Sequence, residues 1–165
     1  MTNNRESERA ARQSVLDRLI DTEPRTPADP PTTLGESIRR VKIGVLRDLE
    51  WLLNTRRIPV TAPDAYPELQ RSLYHYGLRD TTSISGDDPM ARRLLQREIE
   101  DCIRLFEPRL TDVEVTLAAP DPEKRLQVRF VVEALLRMDP DPERVVFDTV
   151  LDVGSGAFNV KGGSG

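Results

Sequence analysis

At Glu107–Pro108 the hydrophobic period of the chain changes from that of a helix to that of a strand, and this switch restricts the fold more than any other feature. Upstream, in residues 88–110 (DPMARRLLQREIEDCIRLFEPRL), apolar residues recur at Leu95, Ile99, Cys102 and Phe106, with Leu94 and Ile103 widening the stripe. That spacing puts one face of a helix against a core. Asp88 is placed to cap the helix and Pro89 to occupy its first position. Pro108 disfavours helical geometry at Glu107, so the helix should end there. Downstream the period is two. Val113, Val115 and Leu117 alternate with Glu114, Thr116 and Ala118. Leu126, Val128, Phe130, Val132 and Ala134 form the longest alternating run, and Val145, Phe147, Thr149 and Leu151 a third; 157–160 adds a short fourth. The segments PDPEK and MDPDPE between them are turns. Helices followed by a β-meander define an α+β domain with a small antiparallel sheet.

The end of the long helix carries a mismatch. Glu107 sets a negative charge where the helix macrodipole is already negative, a local cost of ~0.3–1 kcal/mol. A cation should offset it, either inside the fold or on a partner. Arg109 is the nearest, although it already leaves the helix axis.

Before this helix the chain is more varied. Residues 1–33 read as an extension: a polar start, a short amphipathic helix over 14–21 (Val15, Leu16, Leu19 and Ile20 as its stripe) and a proline-rich linker, TEPRTPADPPTT. Such a helix is marginal alone. It either docks on a partner or folds back on its own domain. The domain proper spans 34–160, and 161–165 is a flexible tail. Within the domain, 36–54 is a helix stepping through Ile38, Val41, Val45, Leu49 and Leu52, with Ser37 as its cap and Asn54 in the left-handed conformation that closes it. Arg56 and Arg57 follow; they either satisfy the last helix carbonyls or present guanidinium forks to a partner carboxylate. Leu69–Tyr76 is a short helix ended by Gly77, and 79–87 is polar turn material.

Composition narrows the chemistry. Charged residues make up 32% of the chain, yet the net charge is only −4, so no basic excess exists to neutralise nucleic-acid phosphates. A single cysteine excludes a disulfide framework and fits a reducing compartment. No long apolar run spans a membrane and no signal core opens the chain, which points to the cytoplasm. His75, the one histidine, and Cys102, on the apolar stripe, do not form a zinc site, and nothing in the pattern places them in one cleft as a nucleophile pair. The glycines at 154–156 precede no helix that would cradle a phosphate. No cofactor is implied. Sheet edges, the Glu107–Arg109 corner, the Arg56–Arg57 exit and the N-terminal helix are all ways of holding neighbours. Together they favour a structural adaptor over an enzyme.

Three motifs in order, LLNTRR (52–57), YGLRD (76–80) and FEPRL (106–110), with SVLDRLID at the front, resemble the TssE family of type VI secretion baseplate proteins, related to the small wedge protein of contractile phage baseplates. The resemblance runs from Ser14 to about Val160. One departure is Arg79, where related sequences often carry proline. The resemblance implies a non-enzymatic component of a cytoplasmic baseplate docked at the inner membrane, with TssF, TssG and TssK as wedge partners and the VgrG hub an indirect one. It implies a fold like the sheet domain of contractile sheath subunits, with the first TssB–TssC ring templated by strand addition beside the second or third strand, for example at Val146. The family's Glu-Pro-Arg motif falls on Glu107, Pro108 and Arg109, where it is associated with binding the wedge core, with Leu110 beside it. The equivalent protein of a phage tail or extracellular injection particle is the alternative. A peptidoglycan hydrolase is a remote one, suggested only by a lysozyme-like label on some family members.

Overall fold

Two amphipathic helices and a four-stranded meander make the core. The computed structural model describes residues 14–20, 33–81, 88–119, 126–138 and 141–163. The proline-rich linker and the expected turn at 120–125 lie outside them, as does most of the polar turn before residue 88. Helix α1 is Val15–Leu19, α2 is Leu34–Asn54 and α3 is Pro89–Phe106; strands β1 (Leu110–Leu117), β2 (Gln127–Leu136), β3 (Glu143–Asp152) and β4 (Ala157–Gly162) follow. The sheet runs in the order β1-β2-β3-β4, antiparallel throughout. This is the α+β arrangement that the change of period requires.

Helix α3 is bounded as its sequence dictates. The Asp88 side chain accepts from the Met90 amide at 2.8 Å, Pro89 opens the helix and Glu107 closes it. Leu95, Ile99, Cys102 and Ile103 are buried. Leu94 is not part of that stripe: it is 53% exposed, one position off the buried face. Helix α2 begins earlier than its apolar period suggests. Thr33, three residues before Glu36 as in a capping box, accepts the Glu36 amide at 3.3 Å. Ser37 therefore sits one turn inside, buried, its hydroxyl donating to the Leu34 carbonyl at 2.7 Å. Asn54 remains helical and Thr55 ends the helix at φ −82°, so the left-handed closure expected at Asn54 does not occur. Its side chain has other partners, described below.

Residues 67–75 form two short 3-10 turns, Pro67–Arg71 and Leu73–His75, where one helix was expected. Ser72 separates them, because its hydroxyl accepts the Tyr74 amide at 3.2 Å and starts a new turn. Gly77 is fixed by geometry. It has φ +94°, and a Cβ there would lie 2.2 Å from the Thr55 carbonyl oxygen.

Alternation along the strands matches their burial. Val113, Val115, Val128, Phe130, Val132, Ala134, Leu136, Val145, Phe147, Leu151, Phe158 and Val160 face the helices and are buried. Leu126, expected to begin the second strand's inward row, precedes β2 and is 66% exposed. Asp112, at φ +50°, makes a bulge in β1 where the register shifts between Thr111 and Glu114. Strands β2 and β3 are interior, so Val146 does not lie on an edge: it pairs with Glu133, and its carbonyl accepts the Gly163 amide at 2.8 Å. That bond and the run of β4 to Gly162 carry pairing past the expected end at Val160.

Candidate interaction surface

The turn after α3 neutralises its own misplaced charge. Pro108 and Arg109 are the central residues of a turn closed by the Leu110 amide on the Glu107 carbonyl at 3.1 Å, and proline suits its first central position. The turn folds Arg109 back over the helix end. Glu107 Oε1 accepts from the Arg109 amide at 3.1 Å and from Arg109 Nε at 2.7 Å, and Arg109 Nη2 bonds Glu107 Oε2. The Glu107 side chain is only 5% exposed. The cation that the helix end calls for is thus internal. Pro108 is exposed on the outside of the corner, while Leu110 is buried at the start of β1.

Arg109 also joins the corner to other elements. Its Nη2 donates to Asp48 Oδ2 at 2.6 Å, and Nη1 lies 4.0 Å from Asp17 Oδ2. Arg47 binds the same two carboxylates, reaching Asp17 Oδ1 and Asp48 Oδ1 at 2.8 Å each. Hydrogen bonds to Glu107 and Asp48 raise the Arg109 pKa further, so the residue stays charged. Burial pushes the Asp17 carboxyl up, but the Ser14 hydroxyl, Arg47 and Arg109 together hold it below its ordinary value. Two guanidiniums and the carboxylates of Asp17, Asp48 and Glu107 leave the cluster one negative charge in excess.

Asp17 is the tether of α1. It lies against Gly44 of α2, where an added Cβ would meet its Oδ2 at 2.9 Å. The helix therefore docks through its polar side, and Val15, Leu16, Leu19 and Ile20 all point away, exposed. On α2, Ile43 and Trp51 are also exposed, and Arg47 lies 4.9 Å from the Trp51 indole centroid. The sequence pattern located the apolar row of α1; it missed Arg47, Asp48 and Trp51, which carry no periodic signal of their own.

The arginines after α2 pair within the fold. Arg56 bonds Asp80 at 3.1 Å and Arg57 lies 3.5 Å from Glu98. A short parallel bridge joins Arg56 to Leu78, with the Arg57 amide on Leu78 O at 2.8 Å and the Leu78 amide on Thr55 O at 3.0 Å. Tyr76 meets Phe106 edge to face at 5.2 Å. The LLNTRR, YGLRD and FEPRL segments, far apart in sequence, are therefore one spatial unit.

Each edge of the sheet lies beside a helix. On β1, Gln96 Nε2 and Arg104 Nη2 donate to the carbonyls of Val115 and Val113 at 2.6 and 2.7 Å, and Glu100 accepts the Val115 amide at 3.2 Å. These residues recur every four positions on α3 and occupy the groups that another strand would need. On β4, Asn54 does the same for Phe158 alone, accepting its amide at 2.9 Å and donating to its carbonyl at 2.8 Å. Val160 is buried, and exposed strand backbone begins at Lys161 and Gly162.

His75 and Cys102 line one cleft of about 340 Å³, a proximity that the sequence pattern gave no means of placing. The thiol is not set up as a nucleophile. Its Sγ donates to the Gly77 carbonyl at 3.6 Å, and burial pushes its pKa up to about 12. Among the described residues no group of His, Cys, Asp and Glu is arranged to hold a metal ion, and no helix is long and apolar enough to cross a membrane. Comparison with known proteins gives one family: a family model described as baseplate wedge protein gp25 matches residues 39–141, more than half of the chain. No curated protein matches.

Proposed function

Since the chain belongs to the baseplate wedge protein gp25 family, and so to a family of structural baseplate components, we propose that it is a non-enzymatic subunit of a type VI secretion baseplate wedge. In this reading it binds the TssF–TssG core, stands near TssK, reaches the VgrG hub only indirectly, and offers the first TssB–TssC sheath ring a place to start. The observation that carries the reading is the Glu107–Arg109 corner, locked from within and bordered by the outward apolar row of α1. A corner that needs no partner to hold its shape is a preorganised foothold, so a partner loses little entropy of ordering on binding it. The cluster's excess negative charge suits a partner cation, and Pro108, Val15, Leu16, Leu19 and Ile20 supply apolar contact around it. Asn54, Arg56 and Arg57 act here as internal braces of the platform. A sheath strand adds at the exposed end of β4, beside Gly162, whose amide alternates away from β3.

Copurification with coexpressed TssF–TssG tests the foothold. Leu16→Glu with Leu19→Glu changes only exposed side chains; it should leave the melting temperature unchanged and abolish copurification. Normal recovery of that variant, together with folded Arg109→Ala, would refute the foothold. Gly162→Pro removes the outward amide without breaking the β3–β4 rungs; it should block sheath initiation while the wedge still forms.

A further inference from the structure

The cleft between α3 and the 3-10 turns has a composition that the wedge reading does not use. Its walls carry Arg57, Arg79 and Arg97 against Glu98 and Asp101, a local positive excess in a chain whose net charge is −4. Glu98 is shared by two cations, with Arg79 Nε at 3.0 Å and Arg57 at 3.5 Å. Arg97 has no partner among the described residues. At the two ends of the same α3 face, Leu94 and Leu105 are exposed, and Phe106 also lines the cleft. His75 Nε2 is buried in this wall without a hydrogen-bond partner among the described residues, a costly arrangement for a polar atom unless something joins it.

We propose that this cleft is a second docking site, taking an acidic, leucine-bearing peptide segment of a partner protein. A carboxylate entering between Arg97 and the Arg57–Arg79 pair gains charge-assisted hydrogen bonds from guanidiniums that now share too few acceptors. His75 Nε2, in the tautomer that carries its proton there, donates a further one. Aliphatic side chains before and after the carboxylate cover Leu94 and Leu105. Cys102 stays inert in the wall. The inference is independent of the wedge reading, since it needs neither the Glu107 corner nor the sheet edge.

The test is a titration of the full chain with a short amphipathic Leu/Glu peptide, its Leu/Lys counterpart and sodium acetate, followed by NMR of the His75 ring, the only imidazole in the chain. The Leu/Glu peptide is expected to shift the His75 resonances saturably and to weaken as salt is raised. Arg97→Glu, at an exposed site whose change leaves the fold intact, should reduce its affinity by about tenfold, equivalent to ~1.4 kcal/mol. Leu94→Ser should reduce it too. Equal binding of the Leu/Lys peptide, equal shifts with acetate alone, or unaltered affinity in Arg97→Glu would each overturn the proposal.

Discussion

Glu107→Ala tests whether the corner is held by its own ion pair. The carboxylate is 5% exposed and Arg109 24% exposed, so the pair lies between a surface bridge, worth ~0.2–1 kcal/mol, and a buried one, where loss of one partner costs ~3–5 kcal/mol. Arg109 keeps Asp48 at 2.6 Å after the change, which lowers the cost, while its backbone amide loses an acceptor, which raises it. The balance is about 2–3 kcal/mol. For a domain of this size, at roughly 2–4 °C per kcal/mol, the melting temperature should fall by about 4–12 °C. Glu107→Gln retains one carbonyl acceptor for Arg109 and should fall about half as far. Glu36→Gln is the control. Its bridge to Arg40 at 2.9 Å is an exposed i,i+4 pair, worth at most ~0.5 kcal/mol, so its shift should stay under about 2 °C. Thermal unfolding followed by circular dichroism measures all three. If Glu107→Ala melts no more than Glu36→Gln, the pair is not what holds the corner, and the account of the helix end is wrong.

Two further outcomes follow from single contacts. Asp17 has a folded pKa below its ordinary 3.8, so its contribution is fully present above that value and is lost as pH falls through the lower folded one. Hydrogen exchange in α1 should therefore accelerate on acidification below about 3.8, and Asp17→Asn should remove that pH dependence; α1 protection unchanged down to pH 2 would contradict it. Gly77→Ala forces a Cβ to within 2.2 Å of Thr55 O at φ +94° and should cost at least ~2 kcal/mol in denaturant unfolding, whereas a neutral result would mean the 76–80 segment sits elsewhere.

What the sequence disclosed, and what it hid, divides along the range of the interactions. The bounds of α3 were readable because Asp88, Pro89 and Pro108 act on their own backbone. The inward rows of β2 and β3 were readable because burial imposes strict alternation. Ser37 and Asn54 misled for the same reason in reverse: each has a side chain suited to a helix end, but Thr33 took the cap and Phe158, more than a hundred residues away, took Asn54. The choice of edge strand was also hidden, since only the strand order shows that Val146 is interior. In the candidate site, Glu107 announced itself by its conflict with the helix dipole, and the Leu16–Leu19 row by its spacing. Asp17, Arg47 and Asp48 did not, because charged residues on a solvent face look alike until a distant arginine selects among them.

Arg109 makes that selection, and the consequence reaches beyond stability. Its guanidinium reaches the α3 end, the middle of α2 and α1 together. These bonds share a planar cation whose orientation is set by the turn at Pro108. Lysine at 109 would keep the charge and lose the simultaneous fit to Glu107 and Asp48. A network of this kind fixes relative positions more than it adds free energy, which is what a subunit that presents a surface to others requires.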